Sequence, residues 1–502
     1  LSLYQKKIPH LLLIALITFF YAYLTNYLFS IEDATIAFNY IDNIAKFNKI
    51  TYCNACVPNE GASDFLFIIL AGLVRKLGFS AYNSVHCINC IASIVSGCCI
   101  IFFTKRHHWI IACLWLFCFF FSSGFLAGLL GYATPFYSAL FFLCMFFLYK
   151  KNDLLFYVFA VLLFLARPVE GIFISTFVVL NAIINHKIKS TFFYFVMPIT
   201  IYWLWRTWYF QSWVPLPLLV KSAFPNHSFH FSFELFNYNY SFLAPYFLLL
   251  LYCGFILFFK PLTLFKKGHL ICVFIAFIVI PFVVYSLVNQ DLNKSFRYQW
   301  SMYLAMLFIS IISINSIRSK YIAIIISVFF LYKNLLQTHP SYSHYRYFGA
   351  DKNQNYFGEK LKQKTNINTK LATTEAGIIP FKLGCNTIDL WGLNTKKYTF
   401  KSPLGKDLQD FDPDIILLNA ENDDYNFTLY SNAQSAQKTW KQMTINIYEY
   451  IKTSKKYDTI FVDDLISPKT IKKKSIITKF YEYNFPKKEP HSSRFLYAFK
   501  RK

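Results

Sequence analysis

Charge is what this chain has little of. Asp, Glu, Lys and Arg make up only 15% of its 502 residues, whereas 56% are hydrophobic and 21% aromatic. A water-soluble chain of this length carries more charge and has fewer long apolar runs. Acids are the scarcer sign: 26 Asp and Glu stand against 50 Lys and Arg, a formal net charge of +24. Nothing in the chain has the pattern of a nucleic-acid module. Much of the basic charge instead falls in short loops between apolar blocks, where it sets orientation. The apolar blocks are continuous rather than alternating, which argues against an outer-membrane barrel. No repeat of solenoid period is present, no two halves match as in many transporters, and no glycine spacing forms a phosphate loop. Most of the 12 cysteines, among them Cys87, Cys90, Cys98, Cys99, Cys113, Cys118 and Cys144, lie inside apolar runs as small hydrophobes.

The composition predicts a polytopic α-helical membrane protein. One crossing needs about 20 apolar residues. With the basic clusters kept inside, the expected spans are 8–30, 83–104, 109–124, 134–149, 154–167, 171–186, 191–210, 241–259, 269–288, 299–317 and 321–336. Residues 8–30 follow Lys6 and Lys7 but run longer than a signal core and end without a clean cleavage site, so they read as a retained first span. Eleven spans put the N-terminus in the cytoplasm and the C-terminus outside. Residues 64–79 are too short and carry Arg75 and Lys76; they read as interfacial or re-entrant. Residues 1–336 thus form a transmembrane domain with an external loop at 31–63. Residues 337–502 change regime: short apolar runs at 414–418 and 459–462 read as buried strands of a soluble α/β domain. That domain holds 27 of the Lys and Arg against 17 acids, which suits either solubility or anionic lipid.

The chemistry is expected at Glu32 and Asp33, adjacent carboxylates where the first span emerges. Acids at a membrane lip are costly unless used or paired. The plainer alternative is a helix cap, since Ser30-Ile31-Glu32-Asp33 has the form of a capping box. Neighbours on a helix diverge by about 100°, so one carboxylate can cap while the other faces a cleft. Cys53 and Cys56, in the same loop, suit a disulfide or free thiols; zinc would need two further ligands that the loop does not supply. His227 and His230 read as solvated loop residues rather than metal ligands, and His107-His108 as a membrane boundary.

The stretch Glu32-Asp33-Ala34-x-Ile36-x-Phe38-x-Tyr40-x-x-Asn43 resembles the first external loop of bacterial GT-C glycosyltransferases, closest to the terminal arabinofuranosyltransferases that use polyprenyl-phosphate sugar donors. The resemblance continues in order through Glu60-Gly61-Ala62-Ser63-Asp64-Phe65-Leu66, Ala133-Thr134-Pro135, Arg167-Pro168-x-Glu170-Gly171 and Pro215-Leu216-Pro217 with Lys221. It extends to residues 372–380 and 388–394. The chain departs from the family at Asn39, where an Arg is common, and at Glu32, where Asp is commoner.

The resemblance implies an inverting transfer of one sugar from a polyprenyl-phosphate donor to an envelope glycan or glycolipid, on the periplasmic face of a bacterial inner membrane. A phosphate leaving group needs no general acid, so one carboxylate, Asp33 or Glu32, serves as base on the acceptor hydroxyl. Arg167, Arg297, Lys221 and Arg206 are the candidates to steady the departing phosphate. Tyr40, Glu60, Ser63 and Asp64 are the candidate acceptor or loop residues. Some GT-C enzymes use a divalent metal, so Mg or Mn stays open. Two other classes compete: a transporter or flippase for lipid-linked saccharides, and a non-catalytic membrane protein that binds glycan.

Overall fold

The computed structural model describes residues 31–104, 109–222, 233–247, 251, 252, 254, 265–288, 296–315, 320–338, 343–420, 439–464 and 495–502, with scattered positions between 14 and 25. The chain divides into two compact units. The first comprises Leu1–Leu28, Ser63–Trp213 and His227–His339; the second comprises Phe29–Ala62, Val214–Asn226 and Pro340–Lys502.

The first unit is helical throughout its described residues. Its centre is the helix Trp300–Ile314, in which every residue is buried. Trp300 is pinned there by its indole N–H, which donates to the Thr134 carbonyl at 3.1 Å and to Ser138 Oγ at 2.9 Å. The outer faces are apolar: Phe192, Phe193, Ile201, Leu204, Trp208, Tyr321 and Ile325 are all exposed. Among the described residues, two helices, Ala81–Phe103 and Lys267–Leu287, are long and apolar enough to cross a bilayer. Counting each bent pair as one span raises that to four.

The expected eleven spans are therefore not reproduced. The reason is local. Asp153–Ala166 and Gly171–Ile184 have 14 residues each, about 21 Å at the helical rise, and the chain bends by 116° between them. Pro168 ends one helical run and starts the next. Ser122, whose hydroxyl accepts from the Phe125 N–H, likewise divides 109–129 into two helices. A hydropathy window registers apolar runs without registering such breaks. Residues 64–79 contain a 12-residue helix, Phe65–Lys76. Most of 8–30, much of 248–264, His107-His108, Lys105-Arg106 and the pair His227 and His230 lie outside the described residues.

The second unit is built on a five-stranded sheet: β1 (Lys370–Thr373), β2 (Asn386–Asp389), β3 (Ile415–Ala420), β4 (Tyr457–Asp464) and β5 (Phe495–Arg501), in the order β2-β1-β3-β5-β4. β1 pairs parallel with β2 and β3, and β5 runs antiparallel between β3 and β4. The two expected strands are present as β3 and β4. Side chains of β3 alternate: Ile415 and Leu417 pack with Phe357, Leu361 and Ile379, whereas Ile416 and Leu418 pack with Leu408, Met443 and Ile447. A strand covered by helices on both faces reads as an unbroken apolar run, as Ile415-Ile416-Leu417-Leu418 does. Arg501, at the end of β5, pairs with Asp412 and, at 2.5 Å, with Asp414. The Arg501 hydrogen bond holds the Asp412 carboxyl below its usual range. Its contribution is thus present at neutral pH and is lost as the pH falls below about 4. Amide exchange in β5 should accelerate between pH 5 and pH 3 by more than the intrinsic rate law gives; an unchanged protection factor would contradict this.

The helix Glu32–Phe47 belongs to this second unit. Ile31 is the N-cap and makes no side-chain cap, Glu32 and Asp33 fall in the first turn, and Ser30, with which the alternative capping box begins, lies outside the described residues. The helix is fixed to the sheet unit from the side, by the Phe38 ring edge-on to Phe381 at 5.5 Å and by Glu32 itself.

Candidate functional site

Two polar clusters stand out, one in each unit. In the second unit, both Glu32 carboxylate oxygens are engaged by backbone donors. Oε1 accepts from the Gly377 N–H, and Oε2 from the Ile378 N–H at 2.7 Å. These donors open the short helix Ile378–Leu383, just after β1. Gly377 is needed for the approach, because a Cβ there would collide with the Glu32 carbonyl and with Thr35 Oγ1. Gly377→Ala should therefore loosen Glu32–Phe47 by about 1–3 kcal/mol, the usual cost of overpacking, read as faster amide exchange in that helix alone. Unchanged exchange would show that the contact is dispensable.

Asp33 is half-buried, one helical step round from Glu32. Tyr40 is fully buried. Its hydroxyl lies 2.5 Å from Asn59 Oδ1 and 3.0 Å from Asn394 Oδ1, so its one proton serves one of two amide oxygens, while its oxygen accepts from the Gly61 N–H at 2.9 Å. Asn59 Nδ2 donates in turn to the Asn394 carbonyl. Glu60 is buried beside the same phenol. The loop carrying Asn394 is organised by Asp389, whose buried carboxylate accepts from the N–H groups of Trp391, Gly392 and Asn394 and from Asn394 Nδ2 at 2.9–3.2 Å. Burial pushes the Tyr40 and Tyr52 hydroxyls well above their usual range. Both stay protonated, and Tyr52 donates to the Ala376 carbonyl at 2.5 Å. Cys53 and Cys56 form a disulfide, one of the states left open by the sequence.

In the first unit, the sharp turn at Arg167 gathers residues from distant stretches. Arg167 is 6% exposed. Its Nε donates to Asp64 Oδ1 at 3.2 Å and its Nη1 to Glu170 Oε1 at 2.9 Å and to the Arg297 carbonyl at 3.2 Å. Its guanidinium lies 5.4 Å from the centre of the Tyr137 ring. Arg297 is half-buried, 4.4 Å from the Tyr132 ring and 5.1 Å from that of Tyr298. The turn therefore sets one guanidinium, that of Arg167, against two carboxylates, Asp64 and Glu170. Asp64 and Glu170 already share Arg167 as counter-ion, and among the described residues no third His, Cys, Asp or Glu joins them. Two carboxylates already neutralised by a guanidinium do not suit Mg or Mn.

The other expected residues are placed separately. Ser63 is half-buried at the start of a segment of the first unit. Arg206 is fully buried near the end of the helix Met197–Phe210; its guanidinium donates to the Ser212 carbonyl at 3.1 Å and lies 4.9 Å from the Trp203 ring. Lys221 falls in the short helix Leu216–Ser222 of the second unit, with its side chain outside the described part. Glu170, Asp389 and Asn394 fall inside stretches that carry the resemblance but were not named as site residues, and Asn59 falls in none of them. For Glu170 a further signal existed, the i to i+3 spacing from Arg167; for Asn59 there was none.

Residues 343–464 match the model of a family described as a domain of unknown function (DUF8728). The match runs from the helix Ser343–Lys362 through β4 and stops before β5, the strand that joins β4 to the rest of the sheet. It also leaves out the helix that carries Glu32. No curated protein matches the chain.

Proposed function

We propose that this chain is an integral-membrane glycosyltransferase of GT-C type, moving one sugar from a polyprenyl-phosphate donor to an envelope glycan or glycolipid with inversion. Its sheet-bearing domain faces the periplasm of a bacterial inner membrane in this reading, and more of the apolar helices span than the four that length and composition support. The observation that carries the proposal is the Arg167 turn: two arginines 130 positions apart meet in an otherwise apolar helical unit with Asp64 and Glu170. Ionisable groups buried among apolar helices are expensive and mark sites of use. The exposed aromatic and aliphatic faces of the same unit favour a lipid surround.

Roles divide by what each group already holds. Arg167 is saturated by two carboxylates and fixes the turn; Arg297, stacked between tyrosines, is assigned to the donor phosphate. The two backbone N–H bonds to Glu32 stabilise its ionised form and weaken it as a base, so Asp33 is assigned as the base. Full-length chain in membranes, supplied with undecaprenyl-phosphate-linked arabinofuranose, mannose or glucose, should release undecaprenyl phosphate and label a glycan. The buried ion cluster also fits the transporter alternative. Movement of those same lipids across a proteoliposome bilayer, with no sugar transferred, would replace the enzyme reading with that one.

A further inference from the structure

We propose a saccharide site outside the machinery above, in the cleft between the helix Trp440–Ser454, the edge strand β4 and its neighbour β5. The register places Thr459 opposite Phe499 and Tyr457 opposite Arg501, and an irregularity between Thr459 and Phe461 interrupts the ladder of β4 at that point. Bulges bend an edge strand and re-aim its side chains. The result is a cavity of about 380 Å³ lined by Tyr448, Ile451, Tyr457, Thr459 and Phe499, with Lys452, Lys455 and Lys502 at its rim. That is within the range of small-ligand pockets.

The lining fixes the ligand's chemistry. Tyr457 and Phe499 are buried, and Tyr448 is half-buried. The Tyr457 hydroxyl is used internally, donating to the Pro413 carbonyl at 2.8 Å, which leaves its ring as wall. Tyr457 and Phe499, at 7% and 3% exposure, close the back of the cleft, so the half-buried Tyr448 is the lining aromatic with surface left to meet a ligand; an aromatic ring offers a flat, electron-rich face that suits the C–H face of a sugar. The three lysines are exposed. Lys502 lies 3.2 Å from Asp458, and among the described residues no carboxylate is paired with Lys452 or Lys455. Rim ammonium groups beside the Tyr448 ring call for a ring bearing a carboxylate or a phosphate. The choice of a saccharide over other anionic rings rests on the transferase reading; the charge and the ring shape come from the cleft.

The test is titration calorimetry on the full chain in nanodiscs of zwitterionic lipid. The probes are trigalacturonic acid, glucose 6-phosphate, maltotriose and inorganic phosphate. At least one anionic sugar should bind roughly tenfold or more tighter than both maltotriose and phosphate, a margin of about 1.4 kcal/mol. Which of the two binds tells a carboxylated source from a phosphorylated one. Lys452→Gln with Lys455→Gln, and separately Tyr448→Ala, should each weaken binding at least as much, and Asp33→Asn should not. Equal binding of maltotriose, equal binding of bare phosphate, or lysine variants that bind like the parent would each overturn the site. Binding lost in the lysine pair with transfer intact in the parent leaves the enzyme reading standing, and the reverse separates them equally.

Discussion

Asp33→Asn lowers sugar transfer by roughly 10²–10⁴-fold, the usual contribution of a general base, whereas Glu32→Gln leaves most of the chemistry in place. The two substitutions remove the same charge from adjacent positions, so composition cannot explain a difference; hydrogen bonding can. Both Glu32 oxygens are held by the N–H groups of Gly377 and Ile378. Glutamine keeps one acceptor of the right shape and loses a charge-assisted bond, a cost of about 1.5–3 kcal/mol. That cost should appear as faster amide exchange across Glu32–Phe47 and a raised KM rather than a collapsed kcat. Asparagine at position 33 should leave that exchange unchanged while kcat falls. Were Glu32→Gln to stop transfer with the helix fully protected, and Asp33→Asn to be active, the assignment of base and anchor would be reversed.

Arg167→Met should be the most destabilising single substitution in the first unit. It leaves Glu170 buried, and Asp64 half-buried, without their counter-ion, and breaking a buried pair such as Arg167–Glu170 costs about 3–5 kcal/mol. Most of that loss is the penalty on the orphaned acids, not the worth of the bridge. The triple variant Arg167→Met, Asp64→Asn, Glu170→Gln should therefore regain much of the stability, measured by thermal unfolding of the purified chain in detergent. Arg297→Met should cost less stability, since Arg167 is bonded to the Arg297 backbone carbonyl and not to its side chain. A single Arg167→Met variant as stable as the parent, yet inactive, would mean that Arg167 holds substrate instead of the turn.

These expectations came from different levels of the molecule. The helical class and the strands at β3 and β4 were legible because they depend on local patterns: long apolar blocks, and a run such as Ile415-Ile416-Leu417-Leu418. Arg167 stood out in the sequence as a rare charge in an apolar context, and the structure buries it against Asp64 and Glu170. The number of helices able to cross a bilayer was not legible, because the breaks at Ser122 and Pro168 shorten helices without shortening the apolar runs.

The amino-acid sequence by itself determined which residues are costly to bury and where the apolar surface lies, since both are properties of side chains and their spacing. Only the tertiary structure decided what each charge is bonded to. Glu32 and Asp33 are both acids in the sequence, and Glu32 becomes an anchor only when the backbone N–H groups of Gly377 and Ile378, 345 and 346 residues away, reach its carboxylate. A hydrogen bond acts over about 3 Å, and no local pattern records which distant backbone will come within that distance.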